Sequence, residues 1–191
     1  MKEVILMEIK TNRLILRKWV IEDSESMYLY AKDPDIGPIS GWPIHKNIEE
    51  SKKVIESFIK ECPYCFAICL KDDINNPIGC IELKKVPCDL TEKLDESELG
   101  YWLGKPFWGN GYMVEAAISL INYGFNELKL NTIWVGHYEG NHKSKRVIEK
   151  LGFLYHHTTN DLEVPLLNET RIGHAYIMTK NRWNELHKQE S

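Results

Sequence analysis

The chain has 191 residues, enough for one domain over its whole length with a sizeable core. Hydrophobic residues make up 43% and charged residues 27%, a globular balance that excludes a disordered chain. With 24 Lys+Arg against 28 Asp+Glu the formal net charge is -4, so no basic surface for nucleic acid is expected, while a cationic amine is compatible.

The opening MKEVILMEIK interleaves charges with apolar residues and lacks the apolar centre of a signal peptide. No apolar run approaches the roughly 20 residues that cross a bilayer. A cytoplasmic protein with no membrane partner is therefore expected. Leu14 to Arg17 reads as a first strand. A helix starts at Ser24 with Asp23 as its cap. Residues 33–46 form a Pro- and Gly-rich loop carrying Trp42 and His45. Asn47 with Glu50 three residues on has the form of a capping box, and the helix behind it sets Val54, Ile55, Phe58 and Ile59 on one face for burial.

Strands follow over residues 64–70, 78–86 and 98–103, with a turn at Asn75-Asn76-Pro77 and an acidic connection over 89–96. This stretch holds the cysteines, Cys62, Cys65, Cys69, Cys80 and Cys88, an odd number that reads as free thiols in a reducing compartment. Cys62-Pro63-Tyr64-Cys65 matches a redox tetrapeptide. Redox chemistry needs the tetrapeptide at a helix N-terminus after a strand, and here the order is reversed. The spacings also give no pair of metal-ligand couples, so no metal is expected.

After Gly111 the apolar spacing turns helical, with Val114, Ala117, Ile118, Ile121 and Phe125 at three- and four-residue steps. A strand over 130–137 and a helix over 143–150, stopped by Gly152, come next. Two further strands follow, the clearer over 171–179 with His174, Tyr176 and Met178 on one face. The order gives an α/β protein with a mixed sheet, hairpins in the middle and parallel neighbours across each strand–helix–strand crossover.

Residues 98–113 carry the chemistry. A strand ends in a glycine turn, Trp108-Gly109-Asn110-Gly111-Tyr112-Met113, which opens directly into the helix. Glycines permit the tight turn and close approach of a ligand, and the first helical turn offers unpaired N–H groups with the positive end of the dipole. Together they suit a pyrophosphate. The lone Gly-x-Gly also fits a plain tight connection; the third glycine of a dinucleotide fingerprint and the Lys-Ser/Thr of a P-loop are missing.

A second segment lies about 30 residues on, Asn141-His142-Lys143-Ser144 through Leu151-Gly152-Phe153. This pair of segments, with the opening Thr11-Asn12-Arg13-Leu14-Ile15-Leu16-Arg17 and with Leu99-Gly100-Tyr101-Trp102, resembles the GNAT superfamily of N-acetyltransferases. Within it, the chain is most similar to the branch of the RimJ and RimL ribosomal-protein N-terminal acetyltransferases. The resemblance implies a central, mostly antiparallel sheet of about seven strands flanked by about four helices. It implies acetyl-CoA as co-substrate, with Trp108, Gly109, Asn110, Gly111, Tyr112 and Met113 on the pyrophosphate and the strand Tyr101, Trp102, Leu103 along the pantetheine arm. The strand from Leu130 would splay away to open the slot. Asn141 would cap the next helix and touch the arm, and Ser144 would lie near the sulfur. A plain helix cap is the alternative for Asn141.

Transfer to a primary amine, of a protein N-terminus or a small molecule, needs a base. Glu98 is the first candidate, on the face of Gly100 and Trp102, and Glu82 on the neighbouring strand is the second. His45 and His137 follow. A backbone N–H near the end of the 98–103 strand would serve an oxyanion. Many members place a tyrosine seven residues after the asparagine as general acid; here that position is Ile148, which leaves Ser144 or Tyr138, or an unaided thiolate. Trp42 and His45 stand where the superfamily builds its acceptor pocket. A dimer is common among such enzymes. The rival readings are a non-catalytic acyl-CoA-binding module and, through Cys62 and Cys65, a thiol-redox protein.

Overall fold

The structure is a computed structural model and describes residues 8–187. Residues 1–7, on which most of the signal-peptide argument rests, lie outside the described residues. Eight strands form one sheet: β1 (Ile9–Lys10), β2 (Leu14–Arg17), β3 (Cys65–Leu70), β4 (Gly79–Lys84), β5 (Glu96–Leu103), β6 (Thr132–Tyr138), β7 (Leu154–Val164) and β8 (Glu169–Thr179). Their order across the sheet is β1-β2-β3-β4-β5-β6-β8-β7. Five helices complete the fold: α1 (Ser24–Ala31), α2 (Ile48–Glu61), α3 (Tyr112–Asn126), α4 (His142–Lys150) and α5 (Lys180–His187).

The uninterrupted apolar run of β3 follows from its place inside the sheet, with Cys65 through Cys69 buried on both faces. On one face Cys65, Ala67, Cys69 and Cys80 meet Met27 and Ala31 of α1 and Ile55 of α2. On the other, Phe66, Ile68, Ile81, Leu83 and Leu99 meet α3 through Ala116, Ala117, Leu120 and Ile121. Ile148 of α4 and Trp183 of α5 belong to that second core. Every adjacent pair is antiparallel except β5 with β6, which α3 joins as a crossover.

Several expectations are corrected. The described residues hold the seven strands and four helices expected, and add β1 and α5 to them. β1 is two residues long, and α5 buries only Trp183, whose indole donates to Asn122 Oδ1 at 2.6 Å. The second crossover does not make β7 a neighbour of β6. The more buried β8 wedges between them and leaves the mostly exposed β7 at the edge. Asp23 does not cap α1 with its side chain. Its carboxylate instead takes two bonds from the Arg17 guanidinium, at 2.7 and 2.8 Å, and one from the Val20 N–H. Asn47 caps α2 through Oδ1 and the Glu50 N–H, but the Glu50 carboxylate reaches back to the Lys46 N–H. Ile59 turns to solvent, and Ser51 takes the buried position with Ile55.

Candidate active site

The glycine turn lies between β5 and α3. Gly109 and Gly111 adopt φ +82 and +78, a region that costs L-residues strain. A Cβ at Gly109 would meet nothing within 4 Å, and one at Gly111 only Arg13 Nη2 at 3.6 Å, so the turn faces open space. The first bond of α3 runs from the Glu115 N–H to the Gly111 carbonyl, leaving the Tyr112, Met113 and Val114 N–H groups without a helical partner. Trp108 is pinned by its indole, which donates to the Leu103 carbonyl at 2.7 Å, and Lys143 Nζ sits 4.1 Å over its ring. Asn110 closes the turn from within, its amide donating to the Phe107 and Trp108 carbonyls.

The role of the opening Thr11-Asn12-Arg13 segment becomes physical here. Glu115 on the first turn of α3 accepts from Thr11 Oγ1, the Arg13 N–H and Arg13 Nε, at 2.6 to 2.7 Å. Arg13 also donates to the Asn110 carbonyl at 3.0 Å and lies over the Tyr112 ring. The connection between β1 and β2 therefore braces the turn.

β5 and β6 pair over three positions only, ending at Glu98↔Trp134. Beyond that point β5 runs on to Leu103 without a β6 partner. Gly104 N–H bonds the Ile78 carbonyl, so alternation along the ladder turns the backbone groups of Leu99, Tyr101 and Leu103 toward the parted edge. Two cavities meet there. A cavity of about 490 Å³ is lined by Leu103, by Trp108, Gly109, Gly111, Tyr112 and Met113 of the turn but not Asn110, and by Lys143, Arg146 and Lys150 of α4. A larger one of about 950 Å³ holds Glu82, Glu98, Trp42, His45 and His137. Tyr101, Trp102, Asn141 and Ser144 wall both. Open glycine backbone, free helical N–H groups and three cations fit the phosphates of a coenzyme A ester.

On the larger side, register sets the carboxylates. Lys84 opposes Glu98 and Glu82 opposes Gly100, so all three side chains share a face. Lys84 Nζ bonds Glu98 Oε1 at 2.6 Å and Asp89 at 2.8 Å. Glu98 is 7% exposed, and its Oε2 has no partner among the described residues. Glu82 makes no side-chain hydrogen bond among the described residues. Burial raises the pKa of both carboxyls above the usual range, against the pull of Lys84. Burial alone would lower the Lys84 pKa, but Glu98 and Asp89 hold it above its ordinary value.

Ser144 and Tyr101 are brought together from 43 positions apart, Oγ to phenol oxygen at 2.9 Å. Burial raises the Tyr101 pKa, so the phenol keeps its proton. Asn141 caps α4, its Oδ1 accepting from the Ser144 N–H at 3.1 Å, and its amide reaches the Ile39 carbonyl at 3.5 Å. Ile148 is fully buried in the α3–α4 core and faces neither cavity. Tyr138 lines the larger cavity.

The loop over 33–46 roofs both cavities. It is tied down by Lys105 to Asp35, by Asn141 to Ile39, and by Arg171 Nη1 to the Pro38 carbonyl at 2.7 Å. Trp42 stands edge-on to Trp102, centroids 6.2 Å apart, and Trp102 stacks on Trp19. His45 is buried against Ser51 at 2.8 Å, and burial lowers its pKa. His137 is likewise lowered by burial and contacts the Tyr176 hydroxyl. Both imidazoles therefore favour the neutral form.

Sequence reasoning missed Lys84, the Tyr101 hydroxyl and the α4 cations. The period of two along β5, which turns Tyr101 away from Glu98, and the period of 3.6 along α4 carry a signal for the latter two. The Cys62 tetrapeptide sits where α2 ends and β3 begins, and burial raises the pKa of both thiols. That is opposite to the activation a redox thiol needs. Among the described residues no group of three or more His, Cys, Asp or Glu is arranged to hold a metal ion.

The chain is 27% identical over 147 residues to the Bacillus licheniformis protein named Uncharacterized N-acetyltransferase p20, covering 75% of this chain and 80% of that one. The crystal structure of a GNAT-family acetyltransferase from Bacillus anthracis superposes with a TM-score of 0.79 at 25% identity, over 92% of this chain and 99% of that one. The microcin C7 self-immunity acetyltransferase MccE, solved with acetyl-CoA and AMP, shares the fold at a TM-score of 0.67 and 18% identity, over 88% and 93% of the two chains. The model of the Acetyltransferase (GNAT) domain matches residues 13–154, and the chain belongs to that family.

Proposed function

We propose that this chain is a single-domain, cytoplasmic N-acetyltransferase of the RimJ/RimL-like branch that moves an acetyl group from acetyl-CoA to a primary amine. The observation that carries the reading is the meeting of two cavities where β5 and β6 part. One is lined by free helical N–H groups and cations, the other by Glu82 and the Lys84-paired Glu98, with Tyr101 and Ser144 between them. The turn 108–113 with Lys143, Arg146 and Lys150 would hold the phosphates, and the β5 edge at Tyr101 to Leu103 would pair with the pantetheine arm. Bound there, acetyl-CoA supplies a thioester-activated acetyl group.

The protein contributes positioning, proton movement and dipoles. Gathering both reactants in joined cavities supplies a large part of the rate. Glu98 and Glu82 are the groups able to hold the amine proton, their raised pKa values bringing them nearer neutrality. Backbone N–H groups facing the parted edge are preorganised donors for a carbonyl oxygen. Ser144 Oγ, hydrogen-bonded to a protonated Tyr101, is the proton donor on the leaving side. No metal is part of the proposal.

Release of the CoA thiol, followed across a panel of amines with N-acetyl product identified by mass, tests the reading. Amine-dependent release is expected. Tight acetyl-CoA binding with no product from any amine would instead support a non-catalytic binding module, which the core position of Ile148 also fits.

A further inference from the structure

The larger cavity has an apolar arm that extends from Trp102 on β5 toward α1, where Met27 and Ala31 line it. Four rings line the same arm: Trp42, His45, Phe58 and Trp102. Trp42, Phe58 and Trp102 pack against the buried cluster of α1, α2 and β3, yet each is only half-buried. A mere cover for the core would be sealed against it; these rings border open space. Their positions are set by the protein itself. The Trp42 N–H bonds the Gly37 carbonyl at 3.1 Å, and its indole lies so close that a Cβ on Gly37 would come within 2.6 Å of Trp42 Cε3. The loop is tied on both sides, by Arg171 to the Pro38 carbonyl and by the His45 N–H to the Ala31 carbonyl at 3.1 Å. Trp102 is stacked on Trp19 at 29°, and Trp19 lies 6.1 Å from Phe58 between centroids. Trp42 stands at 64° to Trp102 and 5.3 Å from His45. Rings held in this way lose little freedom when a ligand is seated among them.

We infer that the acceptor is an arylalkylamine, a primary amine joined by a short chain to an aromatic ring, with that ring seated among Trp42, Phe58 and Trp102. This rests on the N-acetyltransferase reading and gives the acceptor a chemical class. Trp102 walls both cavities, so a ring resting against it places its amine beside the parted edge of β5. The lining favours an aromatic over an aliphatic group. An aliphatic group gains only the area it buries, whereas an aromatic ring also gains edge-to-face or offset contacts with the rings around it. His45, kept neutral by burial, adds a fourth ring without a charge that would repel the amine. In the transfer the nitrogen bonds the acetyl carbon, the carbon–sulfur bond breaks with its electron pair on sulfur, and one proton passes from nitrogen to sulfur. An N-acetyl arylalkylamine and the CoA thiol are the products.

Phenethylamine, cyclohexylethylamine and ethylamine carry the same cationic head and differ only in what the chain bears. Calorimetric titration of each into the wild-type protein, with millimolar CoA present, reads the preference. Phenethylamine is expected to bind at least about tenfold tighter than ethylamine. It should also bind about threefold tighter than cyclohexylethylamine, although the latter is the more apolar. Trp42→Ala should remove most of both differences, and Trp42→Phe should keep their order, with CoA affinity unchanged in each. Phe58→Ala, on α2 and outside the loop, should weaken phenethylamine selectively too, which keeps the inference open to refutation if the loop misfolds in Trp42→Ala. Equal binding of phenethylamine and ethylamine by the wild-type protein overturns the inference, and cyclohexylethylamine binding as tightly as phenethylamine overturns its aromatic class. Transfer assays with acetyl-CoA separate this inference from the reading beneath it. Equal kcat/KM for all three amines leaves an N-acetyltransferase and removes the aromatic acceptor. Acetylation of no amine at all removes both.

Discussion

Gly111 allows backbone strain and anion binding to be separated. At φ +78 an L-residue costs about 1–2 kcal/mol. The new Cβ would meet only Arg13 Nη2 at 3.6 Å, an ordinary contact that adds no clash. Gly111→Ala and Gly111→Glu should therefore lose similar stability, roughly 2–8 °C in Tm at about 2–4 °C per kcal/mol for a chain of this size. Ligand binding should split them. A carboxylate about 6 Å from one phosphate charge is opposed by about 2.8 kcal/mol at an effective dielectric of about 20, roughly 100-fold in affinity. With CoA at about 100 times the wild-type Kd, the wild type gains about 2.7 kcal/mol. That corresponds to a thermal shift of roughly 5–11 °C. Under the same conditions Gly111→Glu gains about 0.4 kcal/mol, a shift of about 1 °C. Differential scanning fluorimetry with and without CoA reads all of these. A full CoA shift in Gly111→Glu would refute the pyrophosphate assignment.

Three further outcomes are expected. Ser144→Ala should lower kcat by about 100-fold, the low end of a lost proton donor, with CoA affinity nearly unchanged; full turnover would remove Ser144 from the chemistry. Ile148→Tyr should lose about 1–3 kcal/mol by overpacking the core and gain no turnover. A rise in kcat there would contradict the buried placement. The third concerns pH. The folded pKa of Glu82 lies above its ordinary 4.5 because of burial, opposed in part by Lys84. The folded state then holds a proton that the unfolded chain has lost, so this group's contribution to stability falls as pH rises through the window above 4.5. Glu82→Gln should flatten that part of the Tm–pH profile and raise Tm at neutral pH while lowering turnover; an unchanged slope would show that Glu82 is not buried as described.

The parts of the site that the sequence revealed are those encoded locally. The glycine spacing at 109 and 111, the helix pattern behind it and Asn141 as a cap all depend on residues within a turn or two. What stayed hidden depends on distant pairing. Lys84 reaches Glu98 only because the β4–β5 register sets them opposite, and Tyr101 meets Ser144 only once α4 folds back over the parted strands. Neither register nor crossover geometry is written in a window of neighbouring residues. β1 and α5 are too short for periodicity to declare. The edge position of β7 follows from β8 burying Ala175, Tyr176 and Met178 beside β6, a competition that chain order does not show.

The account stands most directly on whether the parted strands receive the acyl donor. Isothermal titration of the wild-type protein with acetyl-CoA, and separately with CoA, measures this. One site per chain with micromolar affinity for either ligand is the predicted result. No heat from either ligand at millimolar concentration would contradict the account at its base, because the turn 108–113, the β5 edge and Ser144 would then lack the molecule they are proposed to hold.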